Sequence, residues 1–289
     1  PEQTGREHFP LPSIAADLRH LAAAIEDGRG FQVIRGIPVE RYSDAELRLL
    51  YWGLGLYFGT PVVQTKDDDW FIDVRDESKA YDKNTRGYHS RDRLRFHSDG
   101  ANIVALLCIN KAKEGGLSSI ACSAAIYNDV LAKRPDILPI LYRGFPHDRR
   151  GAEPEGEPRL SPWKLPIFSF PNGQFTCVYD RGSAEWGAER WGRPMGAAER
   201  AAFDYMDSLA NDARFRLDMD LEPGDIQLLN NFLVLHSRTA FVDHDDTARR
   251  RHLLRLWITV PESQRRAINK LHLYTRTPIP TDIPIERLA

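Results

Sequence analysis

The segment Arg95–Gly100 constrains the fold more than any other part of the 289-residue chain. It places His97 and Asp99 two residues apart, directly before an apolar run over residues 101–109 that is typical of a buried β-strand. In an extended chain, residues i and i+2 point to the same side. We therefore predict that both side chains hold one metal ion from the end of a strand. Two histidines and one carboxylate are the usual ligands of a non-haem Fe(II) that activates O2, so a second histidine is required.

The best candidate for the second histidine is His236, which follows an apolar run over residues 226–235 that we predict as one core strand. A lone histidine at such a position is more often structural than a ligand. The pair His97 and Asp99 favours the ligand interpretation. His244 is the alternative, but it lies in a polar segment and is not favoured.

Arg255 interrupts an apolar strand predicted over residues 253–260. A buried guanidinium is costly unless it pairs with an anion. The partner is either a carboxylate of the protein or a dicarboxylate cosubstrate, since arginine pairs with carboxylates through two parallel hydrogen bonds. Arg251 lies four residues earlier and shares a face of the strand with Arg255, so it could contact the other carboxylate of the same molecule.

The order of predicted elements indicates the fold class. Residues 1–60 are typical of helix, strand and helix, with a capping box formed by Ser43 and Glu46 before the second helix. Residues 90–260 alternate mainly as short strands, with helices inserted between them. We predict an α+β protein with a double-stranded β-helix (jelly roll) core and with flanking and inserted helices. We expect a single domain over residues 1–289, with 1–60 as an N-terminal scaffold and 90–260 as the jelly-roll core.

Composition excludes several classes of function. The chain carries 39 basic and 41 acidic side chains, so it lacks the cationic excess with which proteins bind nucleic acids or membrane surfaces. No apolar run reaches the roughly 20 residues needed to cross a bilayer, and the first residues lack a secretion-signal pattern. Three widely spaced cysteines fit a reducing compartment. We therefore expect a cytoplasmic protein that binds neither nucleic acid nor membrane, and homo-oligomer formation stays open.

Three blocks of sequence resemble the TauD/TfdA (taurine dioxygenase-like) family of Fe(II)- and 2-oxoglutarate-dependent dioxygenases. They are Phe96–Gly100, Glu114–Ser118, and residues 230–236 continued by 251–257. The two-residue motif alone would be weak evidence, whereas this ordered set over about residues 90–260 is specific. The resemblance implies an enzyme that requires Fe(II), 2-oxoglutarate and O2. Such an enzyme hydroxylates or otherwise oxidises an unactivated C–H bond of a small organic substrate and releases succinate and CO2.

The resemblance also assigns roles to residues of the site. It implies that His97, Asp99 and His236 are the iron ligands. Arg255 matches the arginine that pairs with the distal carboxylate of 2-oxoglutarate, and Ser118 matches a hydroxyl that assists it.

A further match concerns the other end of the cosubstrate, where Arg251 corresponds to an arginine near the C1 carboxylate. The segment between His236 and Arg255 is several residues longer than in taurine dioxygenase, so it is a poor guide to substrate. Retention of Asp99 favours hydroxylation over halogenation, because a halide ligand would need the coordination position of that carboxylate.

Four side chains near the metal ligands are predicted to contact the substrate: Tyr88, Arg93, Asn102 and Arg238. The two arginines could pair with a carboxylate, sulfonate or phosphate, although an ordinary ion pair within the protein is the simpler interpretation. The sequence does not choose among an amino acid, a sulfonate, a carboxylate and a natural-product intermediate as substrate.

Two other functions stay open on the residues alone. A non-catalytic jelly-roll protein could keep a metal- or ligand-binding pocket, and a zinc hydrolase could use the same three ligands. Arg255 separates the first alternative from an oxygenase, because a simple metal-storage site has no use for a buried guanidinium.

Overall fold

The computed structural model describes most of the chain, namely residues 3–65, 67–78, 87–151, 153 and 155–260. Within these residues, helices pack on the outer faces of antiparallel sheets. Part of the polar segment that precedes the predicted metal site, residues 79–86, lies outside the described residues. No helix in the described ranges combines the length and the apolar character needed to cross a membrane.

The described residues contain six α-helices and sixteen strands. The helices are α1 (Ala15–Glu26), α2 (Asp44–Gly55), α3 (Ser123–Lys133), α4 (Leu138–Arg143), α5 (Arg181–Arg190) and α6 (Ala197–Asn211). The strands are β1 (Phe31–Ile34), β2 (Thr60–Val62), β3 (Phe71–Val74), β4 (Leu94–His97), β5 (Ile103–Asn110), β6 (Glu114–Gly115), β7 (Ser118–Cys122), β8 (Phe145–Asp148), β9 (Leu160–Leu165), β10 (Phe168–Ser169), β11 (Thr176–Cys177), β12 (Arg216–Met219), β13 (Ile226–Asn230), β14 (Val234–Arg238), β15 (Phe241–Val242) and β16 (His252–Thr259).

The predicted capping box is present at the start of α2. The Ser43 hydroxyl accepts the backbone N–H of Glu46, and the Glu46 carboxylate accepts the backbone N–H of Ser43 at 2.9 Å. Two of the otherwise unpaired N–H groups at this helix terminus are thereby satisfied.

Two antiparallel sheets form the frame of the molecule. The larger sheet has the strand order β1-β13-β5-β16-β2, and β3 also pairs with β16. The smaller sheet has the order β12-β7-β14-β4. Because β1 pairs with β13 and β2 pairs with β16, the N-terminal segment is part of the same sheet as the later strands.

Apolar side chains alternate between the faces of these sheets. Leu254 and Leu256 of β16 pack with helices α1 and α2 on the outer face of the larger sheet. Val104 and Val234 lie between the two sheets. Leu235, the next residue along β14, instead packs with helices α3, α4 and α6 on the outer face of the smaller sheet. The alternate residues on these strands therefore face the space between the sheets: Val234, His236 and Arg238 on β14, and Leu253, Arg255 and Trp257 on β16.

The apolar run over residues 226–235 is two strands, so the prediction of a single strand is wrong. β13 belongs to the larger sheet and β14 to the smaller one. Asn230 accepts two hydrogen bonds in the turn between them. Its side-chain oxygen accepts the N–H of Phe232 at 3.0 Å, and its backbone carbonyl accepts the N–H of Leu233 at 3.1 Å. Because Asn230 satisfies the turn, the chain changes sheets without glycine or proline. His236 therefore projects from the smaller sheet.

Candidate metal centre and adjoining cavity

Three potential metal ligands meet where the smaller sheet faces β16 of the larger sheet. Nε2 of His97 lies 3.8 Å from Oδ1 of Asp99, and Nε2 of His236 lies 3.8 Å from Oδ2 of the same carboxylate. One ligand atom from each residue lies within 4.8 Å of the others, and no further His, Cys, Asp or Glu of the described residues joins this group. Two imidazoles and one carboxylate suit Fe(II), and they also suit zinc.

Strand pairing sets the distance between the two histidines. His97 ends β4 and lies directly opposite His236 on antiparallel β14, so their rings project from one face with centroids 4.4 Å apart. Nδ1 of His97 lies 2.8 Å from the carbonyl oxygen of Arg95. This contact favours the tautomer in which Nδ1–H donates and Nε2 is left to bind a metal.

Buried hydrogen bonds hold the turn that presents Asp99. Ser98 donates its N–H to the carbonyl of Tyr179 at 2.8 Å, and its hydroxyl accepts the N–H of Tyr179 at 3.0 Å. The side chain of Asn231 accepts the N–H of Asp99 at 3.1 Å and donates to the carbonyl of Ala101 at 2.8 Å. Both flanks of the turn are therefore anchored.

The Asp99 carboxylate is held from β16. Nε1 of Trp257 donates to Oδ2 at 3.1 Å, and Nη1 of Arg255 lies 3.1 Å from Oδ2 and 3.4 Å from Oδ1. Burial by itself would raise the pKa of Asp99. Arg255 and the two imidazoles together nevertheless hold that pKa well below its ordinary value. Asp99 is therefore a charged carboxylate.

Gln64 fixes the orientation of Arg255. Its Oε1 accepts the Nε–H of Arg255 at 2.8 Å, while its Nε2 donates to the carbonyls of Arg255 and Trp70 at 3.0 and 2.9 Å. The guanidinium carbon of Arg255 also lies 5.1 Å from the ring centroid of Tyr88 and 4.8 Å from that of Trp257. Arg255 is thus immobilised next to the metal ligands.

A cavity of about 560 Å³ adjoins the three ligands. Alternate residues of β16 form one wall, namely Leu253, Arg255 and Trp257, and Arg251, which directly precedes the strand, continues it. Cavities of roughly 300–1,000 Å³ are typical of small-molecule sites.

Arg251 directly precedes β16, four residues before Arg255, and lies beside Phe241 and the turn at Gly116. Its guanidinium carbon is 5.1 Å from the ring centroid of Phe241. A Cβ at Gly116, where φ is +72°, would lie 3.0 Å from Nε of Arg251, so glycine lets the guanidinium pack against the backbone. The Arg251 residue is only 5% exposed, and its Nη1 has no hydrogen-bond partner among the described residues.

Ser118 and Arg238 are partners on β7 and β14, and both line the cavity. The Ser118 hydroxyl donates to Oε1 of Gln227 at 2.8 Å. Arg238 is buried and donates through Nη2 to the carbonyls of Ser90 and Asp92 at 2.6 and 2.5 Å. Arg238, predicted to contact substrate, therefore braces the segment that leads into β4.

The remaining predicted substrate residues differ in placement. Tyr88 and Arg93 line the cavity, and the guanidinium of Arg93 hydrogen-bonds to the side chain of Asn211. Asn102 does not line the cavity, and its side-chain oxygen accepts the hydroxyl of Thr259 at 2.8 Å. This contact joins the start of β5 to the end of β16, so the structure does not support a substrate role for Asn102.

Four residues that help to form the site were not predicted as site residues from the sequence. Trp257 could have been found, because it lies two residues beyond Arg255 on a strand and shares its face. Arg150 and Trp186 line the cavity from segments that contain no recognisable motif. The guanidinium carbon of Arg150 lies 4.8 Å from the ring centroid of Trp186. Gln64 is isolated in sequence and has no detectable pattern.

Comparison with known proteins places the chain in a family. Residues 1–257 match the family model described as "Taurine catabolism dioxygenase TauD, TfdA family". The FR-33289 synthase of Streptomyces rubellomurinus is 36% identical over 260 residues, which cover 88% of this chain and 76% of that protein. The taurine hydroxylase-like protein SAT17 of Stachybotrys chartarum is 30% identical over 263 residues, which cover 86% of this chain and 66% of that protein.

Solved structures share the fold. The structure of asparagine oxygenase in complex with Fe(II), 2S,3S-3-hydroxyasparagine and succinate matches with a TM-score of 0.67 at 18% identity, covering 88% of this chain and 81% of that one. At this identity the similarity supports the arrangement of helices on antiparallel sheets. The family itself follows from the match over residues 1–257 and from the 36% identical relative. The chain therefore belongs to the TauD/TfdA family of Fe(II)- and 2-oxoglutarate-dependent dioxygenases.

Proposed function

We propose that this oxygenase binds Fe(II) through His97, Asp99 and His236, binds 2-oxoglutarate in the adjoining cavity, and oxidises a C–H bond of a small organic anion. One observation carries the proposal. The three ligands open onto the same cavity as Arg251, a buried guanidinium with an unpartnered Nη1 among the described residues. A metal centre beside an unpaired cation fits a dicarboxylate that binds the metal at one end and arginine at the other.

The geometry favours Arg251, rather than Arg255, as the partner of the distal carboxylate. Arg255 is already 3.1 Å from Asp99 and so belongs to the metal end of the cavity. The carbon chain of 2-oxoglutarate spans about 5 Å, so its far carboxylate must lie well beyond the ligands. Arg251 lies four residues before Arg255 along the chain, and Ser118 lies opposite Arg238, two residues beyond His236 on β14. We therefore assign Arg251 and Ser118 to the distal carboxylate, and Arg255 to the metal end, the reverse of the order expected for the two arginines.

The side chains orient the chemistry of the bound groups. Fe(II) and 2-oxoglutarate, when bound, supply O2 activation coupled to loss of CO2 and formation of succinate. His97 keeps its Nδ1 proton on a backbone carbonyl and so presents Nε2 as a neutral ligand. Asp99 stays ionised because Arg255 faces it. Leu106 and Leu253 give the cavity an apolar wall, which suits a substrate that reacts at a C–H bond.

The charge of the cavity favours an anionic substrate. Among the described residues, seven arginines and four carboxylates line it, a net charge of three positive with neutral imidazoles. Fe(II) and dianionic 2-oxoglutarate together leave this balance unchanged. Arg95, which lies 3.7 Å from Glu185, and Arg150, which lies over the ring of Trp186, are the candidates to pair with a carboxylate, sulfonate or phosphate of the substrate.

We also propose that the two sheets form a double-stranded β-helix (jelly roll) within one domain. The sheets face each other across Val104, Val234 and Trp257. The pairing of β1 with β13 and of β2 with β16 supports one core that includes residues 1–60 together with residues 90–260.

The proposal is tested by binding and turnover on the same preparation. Fe(II) and 2-oxoglutarate, added without O2, should give a weak visible charge-transfer band. With O2, a panel of small carboxylates, sulfonates and phosphates should contain compounds that accelerate succinate formation. Asp99→Ala should abolish both signals, whereas Asp245→Ala, on an exposed segment, should leave both unchanged.

The same measurements separate the alternatives. A zinc hydrolase would be active with zinc and indifferent to 2-oxoglutarate. A non-catalytic binding protein would form no succinate with any compound and would lack the charge-transfer band. Either result would contradict the proposed function.

A further inference from the structure

Two buried arginines, Arg238 on β14 and Arg251 directly before β16, share one aromatic ring. The guanidinium carbons of Arg238 and Arg251 lie 4.9 and 5.1 Å from the ring centroid of Phe241. Each arginine is only 5% exposed, and both line the cavity beside the metal ligands. Because β14 belongs to the smaller sheet and Arg251 directly precedes β16 of the larger one, this pair exists only in the folded molecule.

The hydrogen bonds of these two guanidiniums are incomplete. Nη2 of Arg238 donates to the carbonyls of Ser90 and Asp92, but its Nε and Nη1 have no partner among the described residues. Nη1 of Arg251 also lacks one. Asp243 accepts the backbone N–H of Arg251 at 2.7 Å, not its guanidinium. Within the described ranges, neither side chain forms an ion pair.

Burial and mutual repulsion act on the charges of Arg238 and Arg251. Burial lowers the pKa of Arg251 to about 10. Burial, and after it the charge of Arg251, lowers the pKa of Arg238 to about 9. Both groups remain protonated at neutral pH. The charges of Asp76 and Asp92 partly offset the shift at Arg238, and that of Asp243 partly offsets the shift at Arg251, but no carboxylate of the described residues contacts either guanidinium. Two neighbouring buried cations without such a contact are costly, so a site that retains them is suited to an anion.

We infer that Arg238 is a second guanidinium for the distal carboxylate of 2-oxoglutarate and that it links cosubstrate binding to the cavity wall at residues 87–92. This inference rests on the proposed function, in which Arg251 takes the same carboxylate. An ionised carboxylate offers about four lone-pair sites, enough for both arginines. Nη2 of Arg238 meanwhile keeps its hydrogen bonds to the carbonyls of Ser90 and Asp92, in the wall segment that includes Tyr88. Cosubstrate binding thereby stabilises the wall segment at residues 87–92 through Arg238.

The affinity test compares Arg238→Met with Arg249→Met, a matched change on an exposed segment. 2-Oxoglutarate is titrated anaerobically into each Fe(II)-loaded protein, and the charge-transfer band reports the dissociation constant. Arg238→Met should weaken binding about tenfold or more, because it removes charge-assisted hydrogen bonds. Arg249→Met should bind as the wild type does.

A second ligand shows whether Arg238 acts on the carboxylate itself. The 5-methyl ester of 2-oxoglutarate carries a neutral ester in place of the distal carboxylate. The loss caused by Arg238→Met should fall to about twofold or less with this ligand, because the charge that Arg238 pairs with is gone. An equal loss with both ligands would mean that Arg238 is only a structural brace, and would overturn the inference.

Hydrogen exchange tests the link to the cavity wall. Adding 2-oxoglutarate to the Fe(II)-loaded wild type should slow exchange of the backbone amides in residues 87–92. The same addition to Arg238→Met, at a concentration that saturates it, should leave their exchange unchanged. Equal slowing in both proteins would overturn this link.

The outcomes distinguish the inference from the proposed function. Failure of the wild type to bind 2-oxoglutarate with Fe(II) would refute both. Loss of binding in Arg251→Met with wild-type affinity in Arg238→Met would refute only the inference. Should Arg238→Met not fold, Arg238→Lys replaces it. A lysine ammonium carries its three N–H donors on one atom and lacks the planar fork with which a guanidinium can face the wall carbonyls and the carboxylate from different nitrogens. A several-fold loss is therefore expected, and unchanged affinity would overturn the inference.

Discussion

Two buried amide side chains determine how Asp99 is presented. Asn231 accepts the backbone N–H of Asp99, and Gln64 orients the guanidinium of Arg255 that contacts the Asp99 carboxylate. Each amide uses its oxygen as acceptor and its nitrogen as donor. Replacement by an apolar residue therefore leaves several buried groups unpaired, which costs more than the hydrogen bond itself contributes.

Gln64→Leu should weaken metal binding about tenfold, because residues that support metal ligands commonly affect affinity by about 10–100-fold. The variant frees Arg255 to leave Asp99. Anaerobic titration with Fe(II) or Co(II) measures the dissociation constant. Gln174→Leu, at an exposed turn, is the matched control and should bind normally. An unchanged constant in Gln64→Leu would show that Arg255 holds its position without Gln64.

Asn231→Ala should lower the free energy of unfolding by about 1–3 kcal/mol, since Asn231 is 1% exposed and bridges Asp99 to Ala101. Urea unfolding of the metal-free protein measures this effect without any contribution from ligand. Asn128→Ala, exposed on α3, should change stability by less than about 0.5 kcal/mol. Similar stability of the two variants would contradict the bridging role.

The contact between β3 and β16 contains a second polar group, centred on Asp73. Nε2 of His252 lies 2.6 Å from Oδ1 of Asp73, and Nη2 of Arg48 lies 2.9 Å from the same oxygen. The hydrogen bond with His252 is the largest cause that holds the pKa of Asp73 well below its ordinary value. The carboxylate thereby joins α2, β3 and the start of β16, the strand that carries Arg255 and directly follows Arg251.

Asp73→Asn should cost about 0.5–1 kcal/mol at pH 7, because the side chain is 39% exposed and solvent screens the pair. The folded-state pKa lies below the unfolded one, so the contribution is present above about pH 4 and is lost as pH falls below it. Urea unfolding at several pH values should show the difference from wild type shrinking on acidification. Asp245→Asn should show no such trend, and a pH-independent difference in Asp73→Asn would contradict the assignment.

The crossing from β13 to β14 determines which ligands can meet. Had residues 226–235 formed one strand of the larger sheet, His236 would not pair with His97 on β4. The turn stabilised by Asn230 moves the chain to the smaller sheet within three residues. An apolar pattern is consistent with either arrangement, because it specifies burial and not the sheet in which a strand pairs.

The molecule as a whole combines a rigid frame with a cavity that carries uncompensated charge. Helices cover the outer faces of both sheets, and the site lies between the inner ones. Ligands that bind only the folded state therefore add to its stability by mass action.

Mn(II), an O2-inert substitute for Fe(II), and 2-oxoglutarate should raise the melting temperature stepwise. A ligand at 100 times its dissociation constant contributes about 2.7 kcal/mol, which corresponds to roughly 5 °C for a chain of this size. Differential scanning calorimetry without ligand, with Mn(II), and with Mn(II) plus 2-oxoglutarate measures both steps. Asp99→Ala should lose both, and Arg251→Met only the step due to 2-oxoglutarate. A full second step in Arg251→Met would contradict its proposed role.

The resemblance to the TauD/TfdA family is confirmed by the match over residues 1–257. Local spacing was enough to pair the candidate ligands and the two arginines, and the resemblance then selected the chemistry. His97 and Asp99 are two residues apart, and Arg251 and Arg255 are four apart, so each pair shares a side of an extended chain whatever the rest of the fold is. These relations depend on backbone geometry within a few residues and can be derived from sequence alone.

Tertiary structure decided what those residues face. Gln64 reaches Arg255 across 191 residues of sequence. Arg238 on β14 meets Arg251 at Phe241 only because the smaller sheet packs beside the start of β16. The contact between Asp99 and Arg255 has the same origin. It is the reason why Arg255 is assigned to the metal end of the cavity and Arg251 to the distal carboxylate. Contacts between remote segments depend on how sheets pair and pack, and the period of a single strand carries no information about either.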